Sequence, residues 1–299
     1  MRVSNVLFTV VVLTLVISLL TIWFYPSIQD FKASNTMWNG ISNFSSEFSA
    51  DNINSLDDLP NLPEKFVLVA IPYLEYSDVE LAKMKRFVDD GGNLLLMDDY
   101  GYGNNILEYL GVAVRFTNKP LLDPIFNYKN RSIPRITDFA PKVKESDIDV
   151  ILLNHATTLV NVMESEVIAL SSRASFLDIN ENKSWDQGEP KGPFAVAAKF
   201  RLGKGTLALV SDPSIIINAM VGRDYNYDFI RYLTRHKGEQ KGILVDRSHL
   251  SEVSLLNASK TRLINAREVL SSSYALLGIT AMIFIVVSRY TLKKGETIG

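Results

Sequence analysis

The chain predicts an α/β domain built on a parallel sheet and held between two transmembrane helices. Three observations carry this. Phe66-Val-Leu-Val-Ala-Ile71 and Asn93-Leu-Leu-Leu-Met97 are continuous apolar runs of strand length, as strands covered on both faces require. A capped helical stretch lies between them, with short links, which makes a right-handed βαβ unit. An uninterrupted apolar segment stands at each end of the 299 residues.

The first apolar segment, Val6 to Tyr25, contains no charged residue. At about 1.5 Å of helix rise per residue, some 20 residues cross a hydrocarbon core about 30 Å thick. Thr9, Thr14, Ser18 and Thr21 can bond back to their own helix. A cleaved signal peptide is the rival reading, but no small-x-small cleavage site precedes Pro26. The second segment, residues 270–288, is followed by Arg289, Lys293 and Lys294. Arg2 precedes the first. The basic flanks place residues 1–5 and 289–299 in the cytoplasm and the intervening chain outside the cell membrane.

Residues 26–63 are expected to form a stalk helix and a linker. Ile28, Phe31, Trp38, Ile41, Phe44 and Phe48 make one apolar stripe at helical spacing, and Asp51 to Pro63 is turn-rich. The main domain occupies residues 64–245. In its first unit Ser77 and Glu80 form a capping box ahead of Leu81, Met84, Phe87 and Val88, and Gly91-Gly92 closes that helix. A polar loop from Asp98, a short helix to Leu110 and a strand at Val112 to Phe116 follow. Further strands are expected at Val150–Leu153, Glu166–Leu170, Phe194–Phe200 and Thr206–Ser211, with a hairpin turn at Arg201–Gly205. Helices are expected from Pro213 to Val221 and from Tyr227 to Arg235. Residues 246–269 read as a juxtamembrane helix.

Composition narrows the chemistry. With no cysteine there is no disulfide framework, no thiolate nucleophile and no Cys-bound metal. A net charge of −2 gives no reason to expect nucleic acid as a partner. The run Gly203-Lys-Gly205 lacks the spacing of a phosphate-binding Walker loop.

Two constellations stand out. Asp178, Asn180, Asn182, Ser184, Asp186 and Glu189 occupy positions 1, 3, 5, 7, 9 and 12 of a twelve-residue loop, the spacing with which oxygen ligands surround Ca2+. Position six needs a left-handed backbone, usually glycine. Here it is Lys183, at a cost of about 1–2 kcal/mol. The second set follows the ends of the predicted parallel strands: Asp98, Asp99, Gly103 and Asn104 after one, Asn154 and His155 after another, Asp212 and Ser214 after a third. Open α/β sheets bind ligands at that edge. The carboxylates also suit loop and helix N-termini, where negative charge is favoured without any ligand. His236 and His249 sit in charged stretches and read as solvated.

The stretch from Ile71-Pro72 through Phe87-Val88-Asp89-Asp90-Gly91-Gly92-Asn93 to Asp98-Asp99 resembles the class I glutamine amidotransferase-like superfamily, nearest to trehalose-utilisation-like proteins and Gld-type auxiliary subunits of ABC exporters. Gly203-Lys-Gly205 to Ser211-Asp212-Pro213-Ser214 and Asn218 is similar to the closing part of the domain of unknown function 4350, common in archaeal and actinobacterial membrane proteins. The resemblance implies a flavodoxin-like, doubly wound sheet. It does not bring the activity, because the superfamily's nucleophile is a cysteine and this chain has none. The expectation is a non-enzymatic extracytoplasmic binding or accessory domain, in contact with lipid and with other membrane or envelope proteins such as ABC transporter components. The competing reading is a surface hydrolase of glycans or peptides using Asp98, Asp99 and His155. A purely structural spacer is a third.

Overall fold

The computed structural model describes residues 29–236 and 239–250, together with Val10, Leu13, Thr14, Ile17, Ser18 and Leu20. Contacts divide the chain into two units, Pro26–Glu252 and the two ends Met1–Tyr25 with Val253–Gly299. Of the end unit, the six described residues are helical, and Thr14 Oγ1 donates to the Val10 carbonyl at 2.9 Å, so that hydroxyl is satisfied within its helix. Among the described residues no helix is long and apolar enough to cross a membrane. The rest of the Val6–Tyr25 segment, and all of residues 270–288, lie outside the described residues.

The Pro26–Glu252 unit is a mixed α/β structure. Its ten-stranded sheet comprises β1 (Asp51–Ile53), β2 (Phe66–Ala70), β3 (Asn93–Met97), β4 (Arg115–Phe116), β5 (Asp138–Phe139), β6 (Leu159–Val160), β7 (Val167–Leu170), β8 (Ala195–Leu202), β9 (Gly205–Val210) and β10 (Gly242–Asp246). The order is β1-β10-β2-β3-β9-β8-β6-β4, with β7 joining β8 to β5. The centre, β1 through β9, is parallel, and the flank beyond it is antiparallel.

Continuous apolar strands follow from coverage of both faces. Val67, Val69, Leu95, Met97, Ala208 and Val210 enter one core, beneath α1 (Ser42–Phe48) and α4 (Asn226–Thr234). Leu68, Ala70, Leu94, Leu96, Leu207 and Leu209 enter the other, beneath α2 (Asp78–Asp89) and α3 (Gly103–Tyr109). The Ser77–Glu80 capping box is present, and Gly91 closes α2 at φ 111°.

Several expected elements differ. Of the stripe over residues 27–50, the described residues 29–50 form a helix only at Ser42–Phe48. Upstream, the buried Asn35 side chain bonds to Gln29 O and Met37 N, and such local bonds compete with a helical ladder. Gly40 packs so closely on Asn35 that a Cβ would meet its carbonyl oxygen at 1.8 Å. Phe31, Ile41 and Phe44 are still buried, whereas Trp38 is 64% exposed. The expected linker begins with β1, which pairs with distant β10. Ile151–Leu152 pairs with Arg135–Ile136 in a separate small sheet rather than the central one. The expected helix at Pro213 is a short 3-10 turn to Ile216, and residues 247–250 are not helical.

Candidate functional site

Parallel strands deliver their following residues to one edge. Tyr73 comes after β2, Asp98 and Asp99 after β3, and Asp212 after β9. Asp98 is 1% exposed, and its carboxylate accepts N–H bonds from Gly101 and Gly103 at 2.8 Å each. Burial pushes it up to about 6, against the pull of those two donors. A Cβ on Gly103 would lie 2.5 Å from Asp98 Oδ2, so the glycine permits the loop to wrap its carboxylate. Asn104 exchanges two hydrogen bonds with the Phe116 backbone, at 2.9 and 2.8 Å. Asp98, Gly103 and Asn104 therefore shape the β3–α3 loop and present no free group.

Asp212 is completely buried and receives Asn154 N at 2.6 Å and Ser214 N at 2.7 Å. Its carboxyl is raised well above the usual range by burial, with the neighbouring Asp99 charge adding to the effect. Asp99 accepts Tyr100 N at 2.7 Å and the Tyr73 hydroxyl at 3.5 Å. Burial raises it, and His155 acts in the opposite sense.

In front of these groups lies a cleft of about 320 Å³. Tyr73, Asn154, His155 and Ser214 line it from the sheet edge, and Phe31 and Trp38 complete the lining from the segment before α1, with Phe31 packed on Tyr73. His155 enters with a left-handed backbone (φ 60°), fixed by its N–H to Ser132 O at 2.8 Å. Of the residues picked from sequence, Asn154, His155 and Ser214 line the cleft, while Asp99 and Asp212 stand behind it through Tyr73, Asn154 and Ser214. Sequence reasoning missed Phe31, Trp38 and Tyr73. Tyr73 carried a signal, since it directly follows the strand-ending Pro72. Phe31 and Trp38 come from a segment whose helical spacing pointed elsewhere.

The Asp178–Glu189 loop has the left-handed turn its spacing demands, with Lys183 at φ 64°. Its oxygens are used internally. Asp178 accepts Asn182 N and Lys183 N at 3.1 and 2.9 Å, and Glu189 accepts Ile179 N and Asp186 N at 2.7 and 3.0 Å. The Asn180 and Asn182 amides donate to Asp186 at 2.7 and 2.6 Å, and Asn182 Oδ1 accepts Ser184 N at 2.8 Å. Among the described residues no three His, Cys, Asp or Glu side chains are grouped to hold a metal ion.

Two further clusters lie outside the cleft. His249, expected in solvent, is 5% exposed. Its Nδ1 lies 2.7 Å from Asp246, its ring stacks on Tyr76 at 3.4 Å, and Tyr76 donates to Asp246 at 2.6 Å. A wider cleft of about 960 Å³ contains Lys199, whose ammonium donates to the carbonyls of Tyr232, Leu233 and Arg235 at 3.0–3.2 Å. That lysine caps α4 and is not free for chemistry.

No curated protein matches the sequence. Among solved structures, the chain is similar to the mmIFT52 N-terminal domain, at 16% identity and TM-score 0.45, over 58% of this chain and 78% of that one. It is also similar to a β-galactosidase from Bacillus circulans sp. alkalophilus, at 12% identity and TM-score 0.34, over 58% of this chain. An exo-β-1,4-mannosidase, Op5Man5 from Opitutaceae bacterium strain TAV5, matches 61% of this chain at 11% identity and TM-score 0.28. The chain spans about a quarter of each glycosidase, 23% and 26%. None of these three reaches a TM-score of 0.5, so function is read from the chain's own residues. Residues 33–234 match the family described as "Domain of unknown function (DUF4350)", and the chain belongs to that family.

Proposed function

We propose that the chain is a membrane-anchored, non-enzymatic binding module, with a flavodoxin-like, glutamine amidotransferase-like domain outside the membrane and a small ligand in the Tyr73–His155 cleft. The observation that carries this is the state of the carboxylates. Asp98, one of the three residues the surface-hydrolase reading needs beside Asp99 and His155, spends both oxygens on backbone N–H groups, and buried Asp212 does the same, so two of the edge carboxylates are committed to holding loops. What stays open is a lined cavity. The proposed partners are lipid and an envelope or ABC-type transport complex, whose engagement the bound ligand would set.

The test is a ligand screen by thermal shift on the full chain in mild nonionic detergent. Ligands that stabilise the wild type and not His155→Ala support the reading. Hydrolysis of a glycan or peptide that disappears in Asp99→Asn would favour the surface-hydrolase reading instead. Because the chain has no cysteine, a single one placed at exposed Asn130 reports sidedness by membrane-impermeant labelling in intact cells. Labelling only after lysis would refute the outward orientation. A weak calcium site at Asp178, Asn180, Asn182, Ser184, Asp186 and Glu189 completes the proposal. It rests on the spacing of their oxygens and on the left-handed Lys183, and the ion would have to compete with the loop's own N–H donors.

A further inference from the structure

The cleft carries an unbalanced charge inside an aromatic frame. Asp30 lines its mouth, and Asp99 receives the Tyr73 hydroxyl at its back. Asp212 lies behind Asn154 and Ser214. No Lys or Arg is among the lining residues, and His155 is the one lining side chain able to become cationic. The Tyr73 hydroxyl is held well above its usual range first by burial and then by Asp99, Asp212, Asp98 and Asp30, so four carboxylates act on one point of the wall. Three of them are buried, and burial raises each toward its neutral form, Asp212 furthest, so Asp30 at the lining and Asp99 behind Tyr73 are the carboxylates left to act on a ligand.

The other half of the frame is aromatic. The Phe31 and Tyr73 rings meet with centroids 5.5 Å apart at 34°, and Trp38 adds a third ring to the lining. A ring face attracts a cation through its quadrupole, most strongly for Trp. At about 320 Å³ the cleft is at the small end of ligand pockets, suited to a compact head group rather than an oligosaccharide. An anion would meet Asp30 with no lysine or arginine among the described lining residues of this cleft to offset it.

We propose that the cleft binds a small organic ammonium group, held against Trp38, Phe31 and Tyr73 and drawn in by Asp30 and Asp99. This rests on the cleft being the ligand site and adds the chemical class of its occupant. The ammonium carbon shell would cover the rings while its charge faces the Tyr73–Asp99 wall.

The experiment titrates full-length protein in nonionic detergent with four probes, read by calorimetry: choline, its neutral carbon isostere 3,3-dimethyl-1-butanol, glucose and acetate. Choline is expected to bind at least roughly tenfold more tightly than the isostere, and Trp38→Leu to weaken choline about five- to thirtyfold. Trp38 is exposed, so that variant keeps the fold, and a melting curve matching the wild type verifies it. Asp30→Asn, also at the surface of the cleft, is expected to weaken choline and leave the isostere unchanged. Equal binding of choline and the isostere, or choline binding untouched by both variants, overturns the ammonium assignment. Binding of glucose or acetate alone, lost in His155→Ala, also overturns it but leaves the cleft as a ligand site. No heat with any of the four probes overturns the ammonium assignment, while a hit in the broader thermal-shift screen would still sustain the binding reading.

Discussion

Asp98 sits in the fold at a cost that can be measured. Its carboxyl titrates at about 6 in the folded chain against 3.8 unfolded, because burial opposes its charge more than the Gly101 and Gly103 N–H groups favour it. A raised carboxyl binds its proton more tightly when folded, so its contribution is most favourable below pH 3.8 and is lost as pH rises to about 6. At about 1.4 kcal/mol per pH unit the full loss is about 3 kcal/mol, of which about 2 kcal/mol falls between pH 4.5 and 7.5. Asp98→Asn does not titrate. The amide has a single acceptor oxygen for two N–H donors, which adds a constant penalty of about 1–3 kcal/mol. The difference between the two pH values cancels that offset. Urea unfolding of both proteins, followed by tryptophan fluorescence, should show the wild type losing about 1 M more of its midpoint than the variant from pH 4.5 to 7.5, for a slope near 2 kcal/mol/M. Asp99 and Asp212 titrate in both proteins and largely drop out. Parallel pH curves for wild type and variant would refute the assignment of this cost to Asp98.

The remaining predictions concern the scaffold and the loop. Burial lowers Lys199 to about 8 from 10.5, so the unfolded chain holds that proton more tightly and stability rises between those pH values. Lys199→Met should flatten that rise, by about 3 kcal/mol, in urea midpoints measured from pH 7.5 to 10.5. Gly205→Ala places a Cβ 1.9 Å from Gly92 O and 2.9 Å from Val88 O, both backbone, at the first residue of the central strand β9. A loss of about 3 kcal/mol, or roughly 10 °C in melting temperature, is expected, and a wild-type melting curve would show that the two segments separate freely. If the Asp178 loop binds Ca2+ with Kd about 1 mM, 10 mM calcium stabilises by about 1.4 kcal/mol, or roughly 3–5 °C. Asp178→Asn should abolish that shift, and its persistence in the variant would place any bound calcium elsewhere.

What was legible in the sequence is what local chemistry determines. The βαβ unit from Phe66 to Met97 is there in full, because apolar runs, a capping box and Gly91 each act within a few residues. Asp99, His155, Asp212 and Ser214 were found because they directly follow strands. Elements set by distant partners were not legible. Asp51–Ile53 is polar and turn-like, and becomes a strand through pairing with Leu244–Asp246. His249 reads as a charged-surface residue until Tyr76 and Asp246, distant from each other in sequence, converge on it. The aromatic wall of the cleft belongs to the same class. Its Phe31 has φ 55°, a conformation no helical stripe contains, and it is buried in the core with its ring packed on Tyr73.

The loop after β2 is where these long-range effects meet. Phe31, a few residues beyond the first apolar segment, packs on Tyr73. His249, at the last described residues before the second segment, accepts Leu74 N at its carbonyl at 3.0 Å and stacks on Tyr76. Asp246 is opposed by burial, yet hydrogen bonds from His249, Ser248 and Tyr76 hold its carboxyl below the usual range, so this clasp is charged and closed at neutral pH. Its contribution is lost only as pH falls below 3.8. Residues 72–76 thus touch the cleft through Tyr73 and both outgoing chain segments through Tyr73, Leu74 and Tyr76. A ligand that fixes Tyr73 restrains the short segment on which Phe31 and His249 pack. That restraint passes from Tyr73 to Tyr76 only if the two move as one piece. The two residues between them, Leu74 and Glu75, follow a Pro72 whose carbonyl accepts Tyr102 N at 2.8 Å and are held at Leu74 N by the His249 carbonyl at 3.0 Å, which leaves little freedom to do otherwise.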